Sequence, residues 1–319
     1  MTDDRKLNPL VYFQDRFVPL DEAQVPLLTH ALHYGTGVFE GIRGYWSEED
    51  NDLYLFRARD HYERWRSNAR LLRMDIPLTP GELTEITLEL IRRNRFQEDV
   101  YVRPLAFKSQ QGIGIHFSDA MNIAIVAVPF GKYIDSSQGL RVKVSSWRRI
   151  DDNSIPARGK ICGAYVNSAL ASDEARAAGF DDAILLTGEG HVCEGSASNI
   201  FLVREGKVIT PPVQENILEG ITRNCVIDLA RDFWLETIER PVDRSELYIA
   251  DEVFLAGTAF EVAPVVDVDH RTVGNGKIGV FTTKIQDMYR KVTHGDTTRR
   301  SNWRTPVYQP AMAHVEDTV

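Results

Sequence analysis

The sequence predicts an α+β protein of two domains. Three observations carry that expectation. The chain has 319 residues, and roughly 100–200 residues make one domain, so two are expected. Runs rich in Val, Ile, Tyr and Phe stand apart from long helical stretches instead of alternating strictly with them. A polar, turn-prone segment, GKYIDSSQG at 131–139, separates two such sets. The expected division is a small N-terminal α/β domain at 1–130, a linker at 131–139 and a larger mixed-sheet, barrel-like domain at 140–319.

In the first half, residues 7–20, 53–56, 100–108 and 121–129 read as strands. Two helices lie between them. One is HYERWRSNARLL, from His61. The other opens with Thr79-Pro80-Gly81-Glu82, where Thr caps the first turn, Glu reaches back and Pro takes the first helical position. In the second half, strands are expected at 140–146, 183–187, 199–203 and 207–210, and helices near 163–178, 220–232 and 280–294. Gly179 should stop the first of these helices. The polar stretch from Thr297 to Val319 should be loosely packed.

Composition narrows the partners. A net charge of −9 disfavours nucleic acid, whose phosphates are held by clustered Lys and Arg. No apolar run approaches the ~20 residues of a membrane-spanning helix. The start, MTDDRKLNPL, lacks the apolar core of a secretory leader. Cys162, Cys193 and Cys225 lack metal spacing and read as reduced thiols, so a cytoplasmic location is expected.

The most informative stretch is EGSASNIFLVREGKVITPPVQENILEGITR, from Glu194 to Arg223. It holds a carboxylate, an Asn and a helix start near Gly220 whose free N–H groups favour an anion. Upstream, PARGKICGAYVNS carries Lys160. A reactive amine must be neutral, so a site using Lys160 would need partial burial or nearby positive charge. Amine, carboxylate and anion site are together the parts needed to hold pyridoxal phosphate. Taken singly, Lys160 would be a surface lysine, Glu194 a loop glutamate and Tyr165 a core tyrosine.

These segments resemble the signature of the fold-type IV (class IV) pyridoxal-phosphate aminotransferases, and residues 7–308 are similar to the bacterial branched-chain amino-acid group. The resemblance implies a two-domain fold like that of D-amino-acid aminotransferase. It implies that Lys160 carries the cofactor as a Schiff base and moves a proton between substrate Cα and cofactor C4′. Glu194 would face the pyridine nitrogen and keep it protonated. Tyr165 would contact the ring oxygen, and Leu218 would lie against the ring. Gly220, Ile221, Thr222 and Thr258 would surround the phosphate, with Arg59 pairing to it and Arg57 as a competitor.

For the substrate, HYGTGVFEGIRGY would contribute Tyr34, Phe39 and Gly41, and YVRPL would contribute Tyr101 and Arg103. The backbone at Thr258 and Ala259 would receive the α-carboxylate. The loop QQGIGIHF at 111–117 would cross from a neighbouring subunit of a homodimer or larger homo-oligomer. It would present Ile113 and Ile115, with Tyr133 of the linker nearby. Plain core packing is the alternative for Phe39, Ile113, Ile115 and Tyr133. Ser198 stands where many members carry Glu, and Phe260 where Ala is frequent, so Phe260 could reshape the carboxylate side.

The implied reaction transfers an amino group from leucine, isoleucine or valine to 2-oxoglutarate. An (R)-amine or D-amino-acid aminotransferase, or an aminodeoxychorismate-type lyase, is the alternative within the fold. A binding protein that keeps the fold without turnover is the alternative from another functional class. GNGKIG at 274–279 fits a dinucleotide pattern in letters only, because it lies too late in the chain for that unit. His30 and His33 lack further ligands, and no metal is expected.

Overall fold

The computed structural model describes residues 8–309. Its first sheet contains β1 (Leu10–Phe13), β2 (Arg16–Pro19), β3 (Gly37–Phe39), β4 (Ile42–Ser47), β5 (Asp52–Phe56), β6 (Val100–Lys108) and β7 (Met121–Pro129). A short helix, α1 (His30–Tyr34), precedes β3, and α2 (Ala58–Leu71) and α3 (Pro80–Asn94) lie between β5 and β6. All pairings in this sheet are antiparallel.

The second sheet is mixed. It contains β8 (Leu140–Arg148), β9 (Asp182–Leu186), β10 (Val192–Gly195), β11 (Asn199–Arg204), β12 (Lys207–Thr210), β13 (Thr237–Glu239), β14 (Glu252–Gly257), β15 (Glu261–Val268) and β16 (Arg271–Thr272). β8 pairs in parallel with both β9 and β15. The helix α4 (Tyr165–Ala177) is the crossover from β8 to β9, which is what a parallel pair requires. α5 (Ile221–Asp232) and α6 (Val280–His294) complete the fold. The α+β expectation therefore holds.

Local chemistry explains the ends. Thr79 Oγ1 accepts from Glu82 N at 3.2 Å while Glu82 Oε2 accepts from Thr79 N at 2.7 Å, the reciprocal cap read from the sequence. Gly179, at φ +81°, follows α4 in a conformation that glycine adopts without strain.

The expectation for the C-terminal stretch is corrected. Trp303 and Val307 are buried, and β17 (Arg304–Pro306) pairs with β5 of the first sheet. The Trp303 indole packs on Phe56 at 6.0 Å and under the Arg57 guanidinium at 4.7 Å. One aromatic anchor outweighs the polar residues around it, because burying an aromatic side chain removes 150–250 Å² from water. The chain thus returns to its first sheet, which a division into 1–130 and 140–319 does not capture. Residues 310–319 of that stretch lie outside the described residues.

Candidate active site

A cleft of about 1110 Å³ is lined from both sheets. Lys160 reaches it from the segment before α4. Its carbonyl accepts from Phe39 N at 3.1 Å and the next residue, Ile161, bridges to Val38, so the segment is laid against β3. Lys160 Nζ donates to Tyr165 Oη at 2.5 Å and lies 4.9 Å from the centre of the Phe39 ring.

Glu194 enters from β10 and is only 6 % exposed. Its Oε2 accepts from Leu218 N at 3.0 Å and from Asn199 Nδ2 at 3.2 Å, and its Oε1 lies 3.0 Å from the Arg149 guanidinium. Burial pushes the Glu194 carboxyl up from its ordinary value, against the pull of Arg149 and the Leu218 N–H. A cation arriving in the cleft would favour the carboxylate.

The start of α5 faces the same space. Gly220 is its N-cap and supplies no side-chain cap, so the N–H groups of the first turn are available to an anion. A Cβ at Gly220 would collide with the Asn199 carboxamide. Glycine therefore lets the helix start close against the Asn that also holds Glu194. Thr222 lines the cleft beside it, with Ile221 and Leu218. Thr258 and Ala259 lie in the tight turn between β14 and β15, closed by Glu261 at φ +55°.

On the first-sheet side, β3 and the residues after it bring Phe39 and Gly41, while β6 brings Tyr101 and Arg103. A Cβ at Gly41 would occupy the position of the Tyr101 hydroxyl. Arg103 donates to that hydroxyl at 3.2 Å and lies over Phe39 at 4.5 Å. Among the described residues Arg103 has no carboxylate partner, which leaves its charge for a ligand. Tyr133 lines the cleft and tilts against Phe260 at 5.2 Å. Phe260 is 7 % exposed and also packs into the core of the second sheet, so it stiffens the wall it lines.

Four residues expected at the site do not line this cleft. Arg59 points away from the cleft, and Arg64 of the same helix faces it. The Arg59 side chain is 81 % exposed and pairs with Glu63 one turn on, at 3.1 Å. Arg64 lines the cleft, donates to Glu219 O at 2.7 Å and grips both Glu40 oxygens at 2.7 and 2.8 Å. The helical period decides between them. Arg59 lies on the outer face, whereas His61, Arg64, Trp65 and Asn68 share the inner one. Tyr34 is half-exposed, and its hydroxyl accepts from Gly114 N at 3.1 Å. Ile113 and Ile115, at 91 % and 73 % exposed, stand clear of their own chain.

Arg149 and Asn199 complete the wall and Glu40 lies buried behind it; the sequence reading did not single them out by number. Glu40 is fully buried and accepts from His61 Nδ1 at 2.8 Å as well as from Arg64. Burial works against its charge, but Arg64 and His61 outweigh it and hold the carboxyl well below its ordinary range. Burial pushes the His61 imidazole down from its ordinary value, against the pull of Glu40. No spacing in the sequence marks Glu40 or Arg149, because their partners are distant along the chain. Asn199 could have been found, since it stands within the Glu194 motif. Near it, Ser198 Oγ is buried with no partner among the described residues.

The sequence profile of the amino-transferase class IV family matches residues 37–268. A probable branched-chain-amino-acid aminotransferase of Aquifex aeolicus (strain VF5) is 51 % identical over 93 % of this chain and 96 % of its own. The crystal structure of a branched-chain aminotransferase of Thermoproteus uzoniensis with norvaline superposes with a TM-score of 0.90. It is 44 % identical over 94 % of this chain and 99 % of that one. The branched-chain amino acid aminotransferase of Thermobaculum terrenum, in its PLP (holo) form, gives a TM-score of 0.87 at 39 % identity, over 95 % of this chain and 99 % of that one. Two sheets, a shared cleft and this likeness over nearly the whole chain lead to one conclusion: the chain belongs to the class IV aminotransferases.

Proposed function

We propose that the chain uses pyridoxal phosphate to transfer the amino group of leucine, isoleucine or valine to 2-oxoglutarate. The observation that carries this is the convergence of Lys160, Glu194 and the start of α5 on one cleft, in a chain of this family.

The residues present fit the cofactor. An aldehyde needs an amine, and Lys160 supplies it. A phosphate needs N–H donors and a cation, and the uncapped start of α5, Thr222, Thr258 and Arg64 supply them. A protonated ring nitrogen needs a buried carboxylate, and Glu194 is one. Once bound, pyridoxal phosphate supplies the carbonyl that takes the amino group and a ring that accepts the electron pair left at Cα.

Everything else falls to the chain. Lys160 Nζ takes the proton from substrate Cα and later returns one. Tyr165, held at 2.5 Å from Nζ, keeps the lysine aimed. Arg103, Tyr101 and the backbone at Thr258 and Ala259 hold the α-carboxylate. Phe39 and Tyr133 bound an apolar space for the side chain, where one methylene is worth only about 1–3 kcal/mol, so all three branched acids are accepted. The second carboxylate of glutamate needs a cation in the same space, and Arg103 serves it.

The assembly is a homodimer at least. Leu27, Ile113 and Ile115 are 76 %, 91 % and 73 % exposed, an apolar group of the kind that marks an interface. In this reading the loop bearing Ile113 and Ile115 enters the partner's cleft and covers the substrate side chain, and Tyr34 braces it. A cytoplasmic location belongs to the same reading, on the strength of three cysteines that stand as free thiols. Among the described residues no helix is long and apolar enough to cross a membrane.

The test is the absorption spectrum of the purified protein before and after adding L-leucine. A visible band that converts to the amine form of the cofactor supports the reading. A band that responds only to D-alanine or an (R)-amine moves the chain to the other donor class. Absence of any band after adding pyridoxal phosphate sinks it.

A further inference from the structure

We propose that Asn68 is a positioning residue for Lys160, tying the lysine's main chain to α2 so that its amine meets the cleft in one place. The inference rests on Lys160 as the cofactor's attachment point.

Asn68 is 4 % exposed on the inner face of α2. With its amide oxygen and nitrogen assigned by the groups that face them, its carboxamide accepts from Lys160 N at 3.1 Å and donates to Arg158 O at 3.2 Å. The other edge of the same residue is held too, since Lys160 O accepts from Phe39 N at 3.1 Å. Three residues before Asn68, Trp65 donates its indole N–H to Val38 O at 3.0 Å. One helix face therefore holds both β3 and the segment laid against it.

The side chain below the amine cannot do this alone. Lysine has four methylenes and a flexible stem, so only its two ends can be fixed. Tyr165 holds the far end. The near end is the main chain, and any shift there is passed on to Nζ. The other side-chain tethers of this segment are weak. Arg158 is half-exposed and lies 3.9 Å from Asp152 and 3.6 Å from Glu219. Asn68 is the buried side-chain tether, where a hydrogen bond meets no competition from water.

The experiment compares the holoenzyme with Asn68→Leu, which removes both bonds at similar volume. Borohydride reduction and peptide mapping locate the cofactor. Stopped-flow assays give kcat and KM, and a pH titration of the visible band reports the environment of the lysine amine. The expected result is cofactor still on Lys160, kcat lowered roughly 10- to 100-fold with KM for L-leucine little changed, and a displaced titration midpoint. Asn68→Asp keeps an acceptor for Lys160 N and should recover part of kcat. It carries the same readouts if Asn68→Leu does not fold. Thr87→Val breaks the contact of α3 with Tyr62 of α2 away from residues 158–161 and serves as the stability control. A wild-type kcat and midpoint in the Asn68 variants overturns the proposal, as does a change equal to that of Thr87→Val. Cofactor mapped to another lysine overturns the Lys160 reading instead.

Discussion

Around Lys160 and Glu194 the polar groups are buried and cross-braced, whereas the loop from 109 to 120 turns its apolar side chains to solvent. On the first side, Glu40 alone receives His61 and both arms of the Arg64 guanidinium, and Glu194 receives three donors. On the second, Ile113 and Ile115 are flanked by Gly112 and Gly114 at φ +128° and +147° and touch little of their own chain. Yet the loop has a defined shape. Buried Lys108 donates to Arg73 O at 2.8 Å and Ser118 O at 2.6 Å, and Gln110 donates to His116 O at 2.5 Å. The loop is braced at its base and leaves its apolar tip uncovered. The polar groups of the cleft are organised within one chain, and in the function proposed above selectivity is left to a second.

The largest effect should come from the buried side. Lys160→Ala should lower turnover by about 10³-fold or more, because the proton carrier at Cα is gone. Rapid-mixing absorbance with L-leucine measures it, and near-normal turnover contradicts the assignment.

Arg64 and Arg59 set the comparison within one helix. Arg64→Ala should raise the dissociation constant of the cofactor roughly 10- to 100-fold, since it removes a charge-assisted contact and strips Glu40 of a partner. Arg59→Ala should leave stability within about 0.5 kcal/mol and affinity unchanged. Equilibrium dialysis of the apo forms decides, and a larger loss from Arg59→Ala would restore the sequence expectation.

The exposed side should respond in the opposite pattern. Ile113→Ala with Ile115→Ala should leave thermal stability of the single chain nearly unchanged. KM for L-leucine should rise about 10-fold, with alanine as donor less affected, because only the side-chain contact is lost. Equal losses for both donors would argue against a substrate-facing loop.

The smallest effect concerns the brace of α4, the helix that begins at Tyr165. Glu174 accepts from Lys143 at 2.5 Å, Ser145 Oγ at 2.5 Å and Ser146 N at 3.0 Å. Burial opposes its charge, but these donors lower its pKa from 4.5 to about 2. The folded state thus favours the carboxylate. Its contribution is full above about pH 4.5 and fades as pH falls toward 2. Glu174→Gln should cost about 1 kcal/mol at neutral pH, and the gap between melting curves should close on acidification. A gap that widens in acid would refute the pairing.

Local patterns are legible in proportion to their local causes. The cap at Thr79, the strands at 100–108, 121–129 and 207–210, and the helix at 280–294 all stand where the sequence places them, because each depends on neighbours in sequence. β14 (EVFLAG) and β15 (EVAPVVDV), which carry the turn at Thr258, are missing from the strands read in the sequence although both are rich in apolar, strand-forming residues. Their identity depends on pairing with β11 and β8. The C-terminal stretch reads as loose because Trp303 and Val307 find their cover nearly 250 residues away, on β5 and Arg57.

The residue types of the cleft are likewise set in sequence. Lys160, Tyr165, Glu194, Gly220 and Thr222 stand in recognisable motifs, and the tertiary structure gathers them on one cleft. What the sequence by itself determined is the chemistry available: an amine, an acid, a helix start with free N–H groups and apolar side chains. What only the tertiary structure decided is which groups share a space. Arg64 faces the cleft and Arg59 faces water because a helix turns about 100° per residue and the core selects one face. Glu40 meets Arg64, and Arg149 meets Glu194, across 24 and 45 positions of chain. Such pairs leave no local pattern, since burial makes them strong and burial belongs to the fold.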